Sequence, residues 1–220
     1  MTLETIRICA TVLLLAHSAL GQTKPPRILQ VYRDFVKPGA EARVDKIEAD
    51  AARICVELNC PHPYLTLESL TRPTEIWFLN AYESQDEIKQ VSDAYQKNEG
   101  LMSKLNDIVN QKTPFLRSAS VNTFGKMRED LSNGARWSMG QGHFLVITMT
   151  KNGHQSHGTV YEMEDGTFFS IRSAETQGDA ERVSHSSAIG KIFSVRPMLS
   201  LADKNWIVAD PEFWTSKSPR

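Results

Sequence analysis

Hydrophobic and polar positions alternate through the first half of the chain in a way that predicts strands and helices in a regular order. Residues 27–36 (RILQVYRDFV) are rich in β-branched and aromatic side chains and precede a Lys-Pro-Gly turn, which predicts a strand. Residues 41–59 carry apolar side chains at helical spacing with charged side chains between them, which predicts an amphipathic helix. Residues 64–70 and 75–82, separated by a short proline-containing turn, predict a β-hairpin.

A second helix and a further strand complete this half. Ser84 and Glu87 have the spacing of a capping box, so a helix is predicted to begin there. Its apolar positions continue beyond Gly100, and residues 115–124 then predict a closing strand. The order β-α-β-β-α-β is that of the split βαβ arrangement, a four-stranded antiparallel sheet with both helices on one face.

Three features of this half are specific enough to compare with a known family. They are a turn, a strand tryptophan and the step into the second helix, at Pro38-Gly39, Trp77 and Tyr82-Glu83-Ser84. With the layout of residues 27–124, they resemble the dimeric α/β-barrel superfamily, which includes antibiotic-biosynthesis-type monooxygenases. In that superfamily two such units pair their open sheets into a barrel, because a sheet covered by helices on one face leaves its other face apolar.

The resemblance implies a ligand site in the cleft between the sheet and the helices, where haem-degrading and quinone-oxidising members use polar residues with a Trp or His. Tyr32, Tyr64, Trp77 and Asn80 are the residues expected to face it. Trp77 is more typical of plain core, because large aromatic side chains in strands are usually buried. His62 lies between two prolines, which is more typical of a surface turn. Asn80 is polar in mid-strand and would need a hydrogen-bond partner if buried.

The second half of the chain shows a similar but incomplete series of elements. The polar, glycine-containing residues 126–142 predict a connector. The Asp-Gly pair at 165–166 predicts a tight hairpin turn between two strands. Three strands, a helix and a last strand are predicted at residues 143–150, 159–164, 167–173, 179–193 and 205–209.

These elements predict an α+β fold with two related halves. We expect a ferredoxin-like β-α-β-β-α-β unit followed by a degenerate second copy without the first helix, the sheets packed as an intramolecular dimeric α/β-barrel. A separate β-rich second domain is the alternative. The predicted division is a signal peptide at residues 1–21, a ferredoxin-like barrel half at 27–124, a linker at 125–142 and a degenerate second barrel half at 143–214.

The N-terminal pattern predicts export. Residues 1–7 are short and polar, residues 8–16 are an apolar run too short to span a bilayer, and small residues precede Gln22. We therefore expect a signal peptide and a periplasmic or extracellular protein; the alternative is a buried N-terminal helix. No other apolar stretch approaches membrane-spanning length, so no membrane span is expected after cleavage.

Charge and motif content narrow the classes of function. The 220 residues contain 25 Lys and Arg against 26 Asp and Glu, a net charge of -1. This balance argues against a nucleic-acid partner, which requires a basic surplus to displace counterions. The sequence also lacks the nucleophile elbow of hydrolases, the phosphate-binding P-loop, the H-E-x-x-H zinc motif and the dinucleotide-binding glycine fingerprint.

Two pairs of residues are candidates for other chemistry. Cys55 and Cys60 would form a disulfide at the end of a helix in an oxidising compartment, or remain two free thiols. His154 and His157 have a spacing at which two imidazoles can share a metal, although a solvated glycine-flanked loop explains them more simply. Further metal ligands from the same half would come from His143, Glu162, Asp165 or His185.

Two functions of different class remain open on the sequence. The first is an exported small-molecule-binding or accessory module for a small apolar or aromatic ligand. The second, implied by the resemblance, is a cofactor-independent or haem-handling monooxygenase of the dimeric α/β-barrel type. No cofactor motif is evident, and haem is the cofactor that the resemblance allows. We expect either a monomer with pseudo-dimeric halves or a homodimer, and the sequence does not decide whether the protein is an enzyme.

Overall fold

Eight strands form one closed antiparallel β-barrel in the computed structural model, which describes residues 24–134, 136–154, 156–185 and 190–215. Two further short strands, β5 and β7 below, form a separate parallel pair. In chain order the strands are β1 Ile28–Phe35, β2 Leu65–Ser69, β3 Glu75–Tyr82, β4 Val121–Met127, β5 Ser132–Asn133, β6 Phe144–Thr150, β7 Ser156–His157, β8 Thr159–Met163, β9 Phe168–Ala174 and β10 Gly190–Val195. The predicted signal peptide lies outside the described residues.

The order of strands around the barrel is β1-β3-β2-β10-β6-β9-β8-β4. Two of the pairings join a strand of the predicted first half to a strand of the predicted second half. Leu67 of β2 lies opposite Val195 of β10, and Gly125 of β4 lies opposite Met163 of β8. Because side chains alternate along a strand, each strand has one face inside the barrel and one face outside it.

The predicted fold class, a ferredoxin-like unit followed by a degenerate second copy with the two sheets packed together, is wrong. The pairings of β2 with β10 and of β4 with β8 make the eight strands a single continuous sheet that closes on itself. Side chains that would have met between two sheets therefore point into the barrel. Backbone hydrogen bonds, and not only apolar packing, join the early strands to the late ones.

Helices cover the outside of the barrel. They are α1 Glu41–Glu57, α2 Gln85–Lys97, α3 Glu99–Lys112, α4 Gln177–His185, α5 Lys204–Ala209 and α6 Pro211–Thr215, with 3-10 turns at Thr113–Phe115 and Pro197–Leu199. Helices α1 and α3 pack against each other beside β1 and β3, where Val44, Ile76 and Phe78 share one apolar cluster. Helix α4 packs against β6, β9 and β10. None of the helices in the described parts of the chain is long and apolar enough to cross a membrane.

The barrel interior is filled by large apolar side chains. Trp77 is centred 5.7 Å from the ring of Phe169 and 4.6 Å from that of Phe193. Aromatic residues from outside the strands belong to the same apolar cluster, so they close the barrel at one end. These residues are Trp137 from the segment before β6, Trp206 from α5, and Phe213 and Trp214 from α6.

Most local predictions in the first half agree with the structure. The strand predicted at residues 27–36 is β1, and the hairpin predicted at 64–70 and 75–82 is the antiparallel pair β2 and β3. The helix start at Ser84 is confirmed, since its hydroxyl accepts a hydrogen bond from the Glu87 backbone N–H at 3.2 Å. The helix that follows is broken at Asn98 into α2 and α3.

Three predicted elements are wrong. The strand expected at residues 115–124 begins only at Val121. Of the helix expected at 179–193, residues 179–185 belong to α4 and residues 190–193 belong to β10, because the barrel closes only when a strand lies between β2 and β6. The strand expected at 205–209 is helix α5, which Asp203 caps by accepting from the Asn205 N–H at 2.8 Å.

The closed end of the barrel predicts a specific sensitivity at Gly140. This residue has a φ of +84°, and a Cβ there would meet Cδ1 and Cδ2 of Trp206 at 2.6 Å. We expect Gly140→Ala to lower the free energy of unfolding by about 2–5 kcal/mol, because left-handed strain adds to overpacking. Urea denaturation measures this loss.

Gly166→Ala is the matched control, because Gly166 has a φ of +73° and nothing within 4 Å of the added Cβ. It should lose only the strain energy of about 1–2 kcal/mol. Equal losses in the two variants would contradict the packing of Trp206 against the segment at Gly140.

Candidate functional site

A cavity of about 280 Å³ lies between the outer face of the barrel and helices α1, α2 and α3; we call it the outer cleft. Outward-pointing residues of β1 and β3 form its floor, with Gln30 opposite Asn80 and Tyr32 opposite Phe78 in the strand register. The Phe78 ring centroid lies 6.0 Å from that of Tyr32 and 6.1 Å from that of Tyr64, both edge-to-face. The floor is therefore an aromatic surface flanked by two amide side chains.

The walls of the outer cleft come from the inward faces of the helices. Residues three, four or seven apart on a helix share one face, so spaced side chains of α1 and α3 point into the cleft together. The wall residues are Glu48, Ala51 and Cys55 on α1, Tyr95 on α2, and Leu105, Ile108, Val109 and Lys112 on α3. The walls are thus mostly apolar, with one acidic and one basic side chain among them.

Three of the four predicted ligand-binding residues meet in the outer cleft. Tyr32, Tyr64 and Asn80 line it and are half-buried. Trp77 lies on the opposite face of β3, where it is 0% exposed inside the barrel. Its indole N–H donates to Glu75 Oε2 at 2.8 Å. The structure therefore places Trp77 in the core.

The polar groups of the floor are oriented by neighbouring side chains. Gln30 Nε2 donates to Asn122 Oδ1 at 3.0 Å, and the Tyr82 hydroxyl donates to Gln30 Oε1 at 3.3 Å. Burial raises the pKa of Tyr64 and the pKa of Tyr95, so both phenols are neutral at physiological pH. The cleft therefore presents neutral rings and an oriented Gln30 amide at its floor.

A buried ionic cluster, made of Asp34, Glu48 and Lys112, lies at the edge of the outer cleft. Lys112 Nζ is 2.6 Å from Asp34 Oδ2 and 2.6 Å from Glu48 Oε1. The three residues are 0%, 4% and 5% exposed, so water screens these charges little. Ser120 donates a hydrogen bond from its hydroxyl to Asp34 Oδ1. The cluster ties β1, α1 and α3 together.

The cluster also shifts the protonation of its members. Burial raises the pKa of Glu48 above its ordinary value, and the nearby Asp34 and Asp45 carboxylates add to the rise, although Lys112 opposes it. Burial pulls the pKa of Lys112 down, but the Glu48 and Asp34 carboxylates raise it above its ordinary value. Lys112 is therefore a permanent cation, and Glu48 is the group that gains a proton more readily than usual.

The buried ionic cluster was not predicted from the sequence, although two charged residues in apolar helix faces indicated it. Glu48 follows Ile47 within the apolar stripe of α1, and Lys112 lies four residues after the buried Ile108 of α3. Charged residues at apolar-face positions of two helices are unusual, because buried charges require partners. Reading them together would have indicated a buried ion pair.

Cys55, a wall residue of the outer cleft, is bonded to Cys60 in a disulfide. Their Cα atoms are 4.7 Å apart. The bridge links the last turn of α1 to the segment that leads into β2, which fixes the position of that wall. Of the two alternatives left open by the sequence, the structure has the disulfide.

The histidines singled out in the sequence lie elsewhere. His62 is buried rather than exposed in a turn: it stacks on Tyr82 with ring centroids 4.5 Å apart, and its Nε2 lies 2.9 Å from the Ala81 carbonyl oxygen. His154 and His157 flank Gln155, which is outside the described residues, and His154 Nδ1 lies 3.0 Å from the Asn152 carbonyl oxygen. Within the described ranges, no group of three His, Cys, Asp or Glu residues could hold a metal ion.

Haem does not fit the outer cleft. A cavity of about 280 Å³ lies at the lower limit for drug-sized ligands, roughly 300 Å³, and haem is a larger molecule. No histidine occurs among its described lining residues, and its cysteine is held in the disulfide. The lining of the outer cleft therefore does not suit haem as a cofactor.

Comparison with known proteins yields one distant structural likeness. No protein-family profile and no curated protein matches this chain. The structure is similar to a protein of Fusobacterium nucleatum subsp. nucleatum described as a candidate monooxygenase, with 11% sequence identity and a TM-score of 0.44. The likeness covers 81% of this chain and 94% of the other. At this TM-score it carries no argument about activity, and the resemblance to the dimeric α/β-barrel superfamily stays a prediction.

The buried ionic cluster predicts that Lys112→Met strongly destabilises the protein. Removing the ammonium leaves Asp34 and Glu48 buried beside each other without a cation, which should cost about 3–5 kcal/mol. Chemical denaturation measures the change. Lys89→Met, which breaks an exposed ion pair with Asp93 on α2, is the control and should change stability little. A tolerated Lys112→Met would show that the cluster is not paired as described.

The raised pKa of Glu48 predicts a pH-dependent effect of Glu48→Gln. The folded protein holds the Glu48 proton more tightly than the unfolded chain, whose carboxyl titrates near 4.5. The free energy of unfolding of the wild type should therefore fall, as pH rises from about 4 to 8, relative to that of Glu48→Gln. Urea midpoints at the two pH values test this. The opposite trend would mean that Lys112 stabilises the ionised carboxylate more than burial disfavours it.

Proposed function

We propose that this protein binds a small aromatic molecule in the outer cleft. The observation that carries the proposal is the floor of the cleft, where Tyr32, Tyr64 and Phe78 form one aromatic surface beside the Asn80 amide. Binding sites for small molecules are typically apolar and aromatic with a few placed polar groups. Aromatic pairs add about 0.5–1.5 kcal/mol beyond the burial of their area.

The size of the outer cleft supports a ligand built on one ring. A volume of about 280 Å³ exceeds the roughly 150 Å³ of a cavity that binds benzene, so it accommodates a substituted benzene. A larger groove of about 810 Å³ lies beside Arg27, Glu83 and Arg136, which are exposed. Exposed charged walls are typical of a solvated groove, so the outer cleft is the better candidate.

An oxygenase reaction in the same cleft is the second candidate function. The observation that favours it is Glu48, a buried carboxyl group with a raised pKa at the wall of the cleft. Titratable groups perturbed in this way are candidates for proton transfer. A hydroquinone substrate would give up a proton to such a group before reaction with oxygen, and oxygen uptake with hydroquinone tests this candidate directly.

We propose in addition that binding takes place outside the cytoplasm. The three-part pattern of residues 1–21 supports export. The Cys55–Cys60 disulfide supports an oxidising compartment, because such bonds are rare in reducing ones. Fractionation of cells that produce the full chain, followed by mass determination of the mature protein, tests both points.

The proposed function predicts that 2-phenylethanol, a neutral one-ring probe, binds saturably and that Tyr95→Ala weakens its binding about 3- to 10-fold. The weakening corresponds to the loss of one aromatic contact. Tyr95 is a suitable target because it lines the outer cleft from α2, a helix with no buried residues, so truncation should leave the fold intact. Isothermal calorimetry measures the affinity.

Gln96→Ala is the matched control, since Gln96 is the next residue of the same helix and is exposed. It should leave the affinity unchanged. Trp77→Phe alters the opposite face of β3 and should change stability but not affinity. Equal weakening by Tyr95→Ala and Gln96→Ala would refute the outer cleft as the binding site.

A further inference from the structure

Negative charges exceed positive charges at the buried edge of the outer cleft. Lys112 is within 2.6 Å of two carboxylates, Asp34 and Glu48, so the cluster carries one uncompensated negative charge when both are ionised. Glu48 is the member of this acidic pair that lines the cleft. A buried charge without a full partner is costly, and the raised pKa of Glu48 shows this cost.

A neighbouring network adds to the same imbalance. Arg196 pairs with two carboxylates, Asp45 at 2.9 Å and Glu68. Asp45 lies close enough to Glu48 to raise its pKa. The two networks together contain four carboxylates and two cations, so they carry a surplus of negative charge when all four carboxylates are ionised, with Glu48 and Lys112 the two members that line the cleft.

The aromatic lining of the outer cleft also favours a positively charged ligand. The faces of phenylalanine and tyrosine rings attract cations, and the attraction grows as water is excluded. Lys112 already makes one such contact, with Nζ 5.1 Å from the Phe78 ring centroid. The phenols of Tyr64 and Tyr95 are neutral, so they supply rings without titrating.

We propose that the ligand of the outer cleft is a small aromatic amine, bound as its ammonium ion with the positive charge facing Glu48. This inference rests on the proposed function and names the chemical class of its ligand. The ring of the amine packs on the floor formed by Tyr32, Tyr64 and Phe78. The ammonium supplies the cation that the buried ionic cluster lacks, through a charge-assisted interaction with the Glu48 carboxylate.

Three probes of nearly equal size separate charge from shape: 2-phenylethylamine, 2-phenylethanol and phenylacetate, which are cationic, neutral and anionic at pH 7. Calorimetric titration of the full chain with each should give the amine an affinity about tenfold higher than the alcohol. Phenylacetate should bind more weakly than the alcohol. Added salt should weaken the binding of the amine and leave the binding of the alcohol unchanged.

Glu48→Gln removes the charge and keeps the shape of the side chain. In this variant the affinity for the amine relative to that for the alcohol should fall about tenfold, so that the two probes bind about equally. If the variant does not fold, the dependence of the amine affinity of the wild type on salt concentration tests the same charge interaction. Equal or tighter binding of the alcohol or phenylacetate overturns this inference alone, whereas failure of all three probes to bind overturns the proposed function and this inference with it.

Discussion

Closure of the sheet is the constraint on which the rest of the structure depends. Once β2 pairs with β10 and β4 with β8, the register of every strand fixes which side chains lie inside the barrel and which lie outside. The interior is filled by Trp77, Phe193 and their neighbours. The outer cleft lies on the other face of the sheet, where the helices meet β1 and β3. The outer cleft exists because α1, α2 and α3 cover that face incompletely.

The buried ionic cluster links this architecture to its site. Lys112 is contributed by the last turn of α3, Glu48 by the middle of α1 and Asp34 by the end of β1, so one ammonium fixes three elements relative to one another. Ion pairs of this kind seldom stabilise a fold more than apolar side chains of equal volume would. Their value is in specifying a single arrangement of the helices, and thereby the shape of the cleft between them.

Much of the local structure could be predicted from the sequence, whereas the closure could not. The strand at β1, the β2–β3 hairpin and the helix start at Ser84 depend on residues close in the chain, so periodicity and capping were sufficient. The pairing of Leu67 with Val195 depends on residues that no local pattern connects, and the fold class was wrong for that reason. In the outer cleft, the two-residue period of a strand is enough to place Trp77 and Asn80 on different faces of β3, because side chains three residues apart in a strand point to opposite faces. Prediction of the buried ionic cluster would have required the charged residues of two helices and one strand to be considered together.

A closed barrel also determines how the protein meets other copies of itself. Every strand of the barrel has a hydrogen-bonded neighbour on both sides over at least part of its length, so none of the eight is an edge strand. Open sheet edges are where chains add to one another in domain swapping and amyloid growth. Once folded, this barrel has no template for such growth along its eight strands. Self-association of the folded protein at high concentration should therefore occur through side-chain contacts between surfaces and not by strand addition.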